Sequence, residues 1–115
     1  MISTTKGTKK DIQDIKKNYI LELDWEEDID YYKILINNEV VGLIEIGKSD
    51  SINNYMIYNF EIFNKKQGIG GKYIDKLTKE MNLELYPLNS MSKKFWEKHR
   101  FITIDDDGLM ECRKL

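Results

Sequence analysis

The feature that most restricts how this chain can fold is a change of hydrophobic period at Tyr31. Upstream, Ile12, Ile15, Tyr19 and Leu23 recur at spacings of three and four, so Thr8–Leu23 is expected to form one amphipathic helix. Thr8 stands where it can cap that helix, with Asp11 three residues on. No strand is evident ahead of it. From Tyr31 onward the apolar residues alternate. Tyr32–Asn37 and Val40–Gly47 are expected as strands joined at Asn37-Asn38, a pair that tolerates the left-handed backbone of a hairpin turn. Asn54–Phe63 is expected as a third strand, after the polar loop Ser49–Asn53. The helical period returns over Gly68–Met81, with Ile69, Tyr73, Ile74 and Leu77 on one side. Leu83–Leu85 follows as a short strand stopped by Pro87, and Ser90–His99 as a further helix. Phe101–Ile104 and Leu109–Cys112 close the chain as a hairpin around Asp105-Asp106-Asp107-Gly108. Strands grouped ahead of a strand–helix–strand unit imply an α+β fold, a mixed and mostly antiparallel sheet flanked by helices.

A length of 115 residues is that of one ordinary domain, expected here as an N-terminal segment over 1–30 and a core over 31–115. A formal net charge of -2 argues against a nucleic-acid partner, which would call for a basic excess. No apolar run reaches the roughly 20 residues of a membrane span, so no membrane association is expected. Cys112 is the only cysteine, which excludes an internal disulfide and fits a reducing cytoplasm. With His99 the only histidine, a structural zinc site of the usual type lacks its ligands, and no metal is expected. His99, within Glu97-Lys98-His99-Arg100, is expected at a solvated helix end, and Cys112 as a small buried hydrophobe. An acidic run, Glu22 to Asp30, follows a lysine-rich stretch. A solvated surface is its ordinary meaning; the sharper one is an acidic rim that attracts a cationic acceptor.

The stretch richest in chemistry is Glu61-Ile62-Phe63-Asn64-Lys65-Lys66-Gln67-Gly68-Ile69-Gly70-Gly71-Lys72. A strand ends, basic residues follow, and glycines open a helix. Unhindered backbone N–H groups at a helix N-terminus form an anion site, because the dipole and the unbonded donors point the same way. Gly68 and Gly70 permit close approach of a pyrophosphate, and Lys65, Lys66 and Lys72 add positive charge. A Walker A loop would need glycine at position 66 and a hydroxyl residue after Lys72, and a dinucleotide GxGxxG would need glycine at 73; Lys66 and Tyr73 exclude both.

Lys65-Lys66-Gln67-Gly68-Ile69-Gly70 resembles the Arg/Gln-x-x-Gly-x-Gly/Ala turn of the GNAT N-acetyltransferases. A second stretch, Asn89-Ser90-Met91-Ser92-Lys93-Lys94-Phe95-Trp96-Glu97-Lys98-His99-Arg100-Phe101, is similar to that family's Asn, Ala/Ser, Phe-Tyr-Glu-Lys and Gly-Phe run. The two occur in the family's order, and the likeness covers Tyr31 to Leu115. It implies acetyl-coenzyme A as co-substrate and a primary amine as acceptor, whether a protein lysine, a polyamine or another small cation. The diphosphate would lie at Lys65, Lys66, Gln67, Gly68, Ile69, Gly70, Gly71 and Lys72. The acyl arm would run beside Phe60 and Ile62, with Asn89 and Phe95 near the pantetheine. Two copies of such a domain often pair.

Acetyl transfer requires a base for the amine, a donor for the growing oxyanion and a proton for the leaving thiolate. The resemblance makes Glu61 the candidate base, opposite Phe60 and Ile62 by strand alternation, with Glu45 a rival on the adjacent strand. Trp96 stands where the family's acid tyrosine is found, and an indole N–H does not relay protons as a phenol does. Tyr73, Tyr86 or solvent would then supply the proton. The alternative is an acyl-coenzyme A sensor or interaction module of the same fold with little or no turnover, and a third reading is a structural partner whose turn binds nothing.

Overall fold

Among the described residues seven strands are hydrogen-bonded edge to edge in the order β1-β2-β3-β4-β5-β7-β6. The computed structural model describes residues 2–25, 30–65 and 68–115. Of the residues singled out above, Glu26, Glu27 and Asp28 of the acidic run and Lys66 and Gln67 of the turn lie outside them. The elements are β1 (Ile2–Lys6), α1 (Lys9–Asn18), β2 (Tyr32–Ile36), β3 (Glu39–Lys48), β4 (Asn54–Ile62), α2 (Ile69–Thr78), β5 (Asn82–Leu85), α3 (Ser90–Lys98), β6 (Ile102–Thr103) and β7 (Met110–Cys112). The β4–β5 pair is parallel, while β1–β2, β2–β3, β5–β7 and β6–β7 are antiparallel. The sheet is therefore the mixed, mostly antiparallel one that periodicity implies. The chain divides into two compact units, Met1–Ile46 with Asn59–Gly70, and Gly47–Tyr58 with Gly71–Leu115.

In the first unit, β1 is an addition to the sequence-based element order. Ser3, Thr4, Thr5 and Lys6 are exposed, so this strand lacks the apolar alternation that betrays the others. Pairing with β2, from Ile2↔Ile36 to Lys6↔Tyr32, is what defines it. Helix α1 starts as expected with a capping box, the Asp11 N–H on Thr8 Oγ1 at 3.3 Å and the Thr8 N–H on Asp11 Oδ2 at 2.9 Å. It ends at Asn18 rather than Leu23. Tyr19 is already extended, yet its ring stacks on Phe63 at 4.4 Å, so this part-exposed aromatic keeps an apolar contact without remaining helical. Ile12 and Ile15 pack with Trp25, Tyr31 and Leu43. The β2–β3 turn has φ of 50° at Asn37 and 67° at Asn38, the two left-handed residues of a type I′ hairpin.

Tyr31 is 2 % exposed and donates its hydroxyl to the Thr8 carbonyl. Burial, helped by the nearby Asp11 charge, pushes its phenol up to about 12. Because the folded pKa lies above the unfolded one, this contribution to stability is complete below pH 10 and is lost as pH rises towards 12. Stability of the wild type should fall across that window. Tyr31→Phe should lose about 1 kcal/mol at neutral pH and show a shallower alkaline decline, as read from denaturant melts at a series of pH values.

In the second unit, Leu83↔Cys112 and Leu85↔Met110 face each other across β5 and β7, all buried. Helix α2 buries Ile69, Tyr73, Ile74 and Leu77, the stripe expected from sequence. The buried Glu84 carboxylate accepts the hydroxyls of Ser49 and Ser51. Helix α3 ends in a Schellman arrangement: the Phe101 N–H bonds the Trp96 carbonyl at 3.1 Å and the Arg100 N–H the Glu97 carbonyl at 3.2 Å. That geometry requires a left-handed residue, and Arg100 supplies it with φ 73°. Arg100→Gly should therefore raise stability by about 1 kcal/mol in a denaturant melt.

Candidate functional site

The end of β4 is set by a close approach. A Cβ at Gly42 of β3 would lie 2.5 Å from the Glu61 carbonyl oxygen and 2.6 Å from Ile62 Cδ1, so only glycine lets the two strands meet here. One residue on, the Phe63 N–H bonds the Val41 carbonyl at 2.9 Å.

Glu61 is 5 % exposed, and its carboxylate is engaged with the segment after α1. Oε2 accepts the Glu22 N–H at 2.8 Å; Oε1 accepts the Leu23 N–H at 3.0 Å and the Trp25 indole N–H at 2.9 Å. These amides are among those that would have continued α1, which explains why the helix stops short of Leu23. Glu22 itself turns its carboxylate to the Lys65 ammonium. Ile20, Glu22, Glu61, Ile62, Phe63, Asn64 and Lys65 line a cleft of about 470 Å³. The rival carboxylate, Glu45, accepts from the Asn59 amide at 2.7 Å.

Past the cleft the glycine turn opens α2. Gly68 has φ 68°, a conformation that favours glycine, and among the described residues nothing lies within 4 Å of where its Cβ would project. A Cβ at Gly70 would contact Ile62 at 3.4 Å and the Phe60 ring at 3.6 Å, so Phe60, Ile62 and Gly70 lie together. The first turn of α2 holds no carboxylate, and Lys72 is exposed.

The parallel ladder between β4 and β5 runs from Asn54↔Asn82 to Met56↔Glu84.

In the second unit Asn89 caps α3. Its side-chain oxygen accepts the Ser92 N–H at 2.9 Å, while Ser92 Oγ accepts the Asn89 N–H at 3.0 Å. Trp96 is 7 % exposed and packs edge-on against Phe95 at 5.0 Å and Phe101 at 5.1 Å. Of the two tyrosines named as substitutes, Tyr73 is buried and Tyr86, just past β5, is exposed. His99, expected at a solvated helix end, is instead largely covered. Its imidazole lies over Gly71, stacks obliquely on Phe95 at 4.7 Å and meets Asp75 at 3.1 Å. Cys112 is buried, and that burial pushes its thiol up, away from nucleophilic use. Among the described residues no cluster of histidine, cysteine or carboxylate is arranged to hold a metal, and no helix is long and apolar enough to cross a membrane.

No family sequence model and no curated protein matches this chain. Solved structures do. A GNAT-family protein from Bacteroides thetaiotaomicron superposes with a TM-score of 0.68 at 17% identity, over 98% of this chain and 88% of its own. The N-acetyltransferase YlbP of Bacillus subtilis, solved in complex with coenzyme A, gives 0.65 at 17% over 96% and 95%. A ribosomal-protein-alanine N-acetyltransferase from Escherichia coli gives 0.63 at 14% over 99% and 94%. The fold is that of the GNAT acetyltransferases.

Within this GNAT fold, sequence reasoning missed the loop that Glu61 holds. Glu22 was hidden in an acidic run, and the available signal was Trp25, a large aromatic among charges. Gly42 was equally silent, since its need is created by β4, not by its own neighbours. Gly42→Ala should force β3 and β4 apart and cost about 1–3 kcal/mol in a thermal or denaturant melt, with the overall fold retained by circular dichroism.

Proposed function

We propose that this chain binds acetyl-coenzyme A and transfers its acetyl group to a primary amine. The observation that carries this reading is the turn at the end of β4: Gly68 left-handed and open, followed by a helix whose first turn lacks any carboxylate. The GNAT likeness supports it, and YlbP is a relative of this fold that was solved with coenzyme A.

In this reading the diphosphate is gripped by the N–H groups of Gly68–Lys72, with Lys65, Lys66, Gln67 and Lys72 supplying the surrounding polar and positive groups. The stretch of β4 beyond Met56, including Phe60 and Ile62, offers backbone to the acyl arm, and an N–H there stabilises the oxyanion. The Asn89 NH2 and Phe95 contact the pantetheine. The amine nitrogen attacks the thioester carbon, the C–S bond breaks, and the thiolate takes a proton. Trp96 is packed in the interior and its indole does not ionise in water, so solvent or the exposed Tyr86 delivers that proton. The acceptor is a cationic amine such as a protein lysine or a polyamine, drawn by acidic residues such as Glu22, and the reaction takes place in the cytoplasm, where acetyl-coenzyme A is made available.

A second reading is favoured by the burial of Trp96: an acyl-coenzyme A sensor of the same fold that binds without turnover. Titration calorimetry with acetyl-coenzyme A should show one site per chain. Gly70→Glu, which sets a carboxylate at the diphosphate, should weaken binding by a hundredfold or more, on the order of 3 kcal/mol. Unchanged affinity would move the diphosphate elsewhere. Loss of thioester over a panel of amines then separates transferase from sensor.

A further inference from the structure

We propose that Glu61 is a positioning residue, not the proton acceptor: its carboxylate clamps the Tyr19–Trp25 loop as the wall of the amine side of the cleft. This rests on the transferase reading for what the wall does, though not for the clamp itself. The donors on Glu61 are the N–H groups of Glu22 and Leu23 and the indole of Trp25, all from one short segment and all within 3.0 Å. A carboxylate offers about four acceptor directions, and here three are taken. Taking up a proton would turn an acceptor into a donor and leave N–H groups facing it, the buried Trp25 indole among them, each a costly loss. A base must do that on every turnover. A clamp never does.

The same loop carries Glu22, whose carboxylate is at the cleft and pairs with Lys65. Glu61 therefore fixes from beneath the position of a charged side chain that borders the cleft. Once a diphosphate at the turn draws Lys65 away, the Glu22 carboxylate is left to meet a cationic amine at that wall, and the clamp sets its binding geometry without touching it.

Glu61→Gln keeps size and one acceptor but presents an NH2 to the donors. In this variant the Glu22 and Leu23 amides should exchange with solvent at least about tenfold faster, and the Trp25 indole N–H resonance should shift upfield, because hydrogen bonds to a charged group are lost. KM for the amine should rise about tenfold or more while kcat and the pH profile stay near wild type. Trp25→Phe, which removes a single donor and leaves Glu61 native, should change amide exchange and amine KM in the same direction by a smaller factor, and stands in if Glu61→Gln does not fold. The proposal is overturned if kcat falls about a hundredfold and the acidic limb of the pH profile disappears, with amine KM and loop exchange unchanged. It is also overturned if neither variant alters exchange at Leu23. Absence of acetyl-coenzyme A binding by the wild type would sink the transferase reading alone, because exchange and the indole resonance still decide the clamp.

Discussion

A carboxylate buried beneath a protein surface is tolerable only where fixed donors replace the water it has lost. Glu61 meets that condition with three N–H groups, and much of the first unit is arranged around it. Helix α1 gives up its last expected turn so that the amides of Glu22 and Leu23 can face downward. Trp25 enters the core with its indole nitrogen aimed at the same carboxylate, and its ring meets Tyr31 edge-on at 6.2 Å. Gly42 clears the space in which the Glu61 backbone sits. One strand residue thereby connects the end of a helix, a core aromatic and the floor of a cleft.

The glycine turn follows directly on that strand end, and the proximity has an electrostatic side. Lys65 belongs to the basic group in the turn, yet its ammonium is paired with Glu22. An exposed pair of this kind contributes little to stability, because water screens both partners. A doubly charged diphosphate at the open Gly68 would compete for the same ammonium. On the proposed reading, anion capture at the turn and the placement of Glu22 at the cleft would be linked through one lysine.

Much of the architecture was legible from periodicity. The Asn37-Asn38 turn, the stripe Ile69, Tyr73, Ile74 and Leu77, the Thr8 cap and the burial of Cys112 all follow from local rules, because each depends on residues close in sequence. Strand β1 was not legible: an edge strand with polar side chains has its pairing partner as its only signature, and that partner lies about thirty residues downstream. The early stop of α1 escaped for the same reason. Its apolar stripe continues to Leu23, and only the competing acceptor on Glu61 explains why the helix does not. His99 looked like a solvated residue in a charged run until α2 placed Gly71 and Asp75 against its ring.

The sequence by itself determined the order of most elements and the location of the glycine turn that opens α2, since hydrophobic period, caps and glycine spacing act over a few residues. Tertiary structure alone decided what the charged side chains do. Whether Glu61 is a solvent-facing carboxylate, a base or a clamp depends on the donors that surround it, and those come from residues some forty positions away. Charge and hydrogen bonding act through space, so their outcome is settled by what the fold brings near.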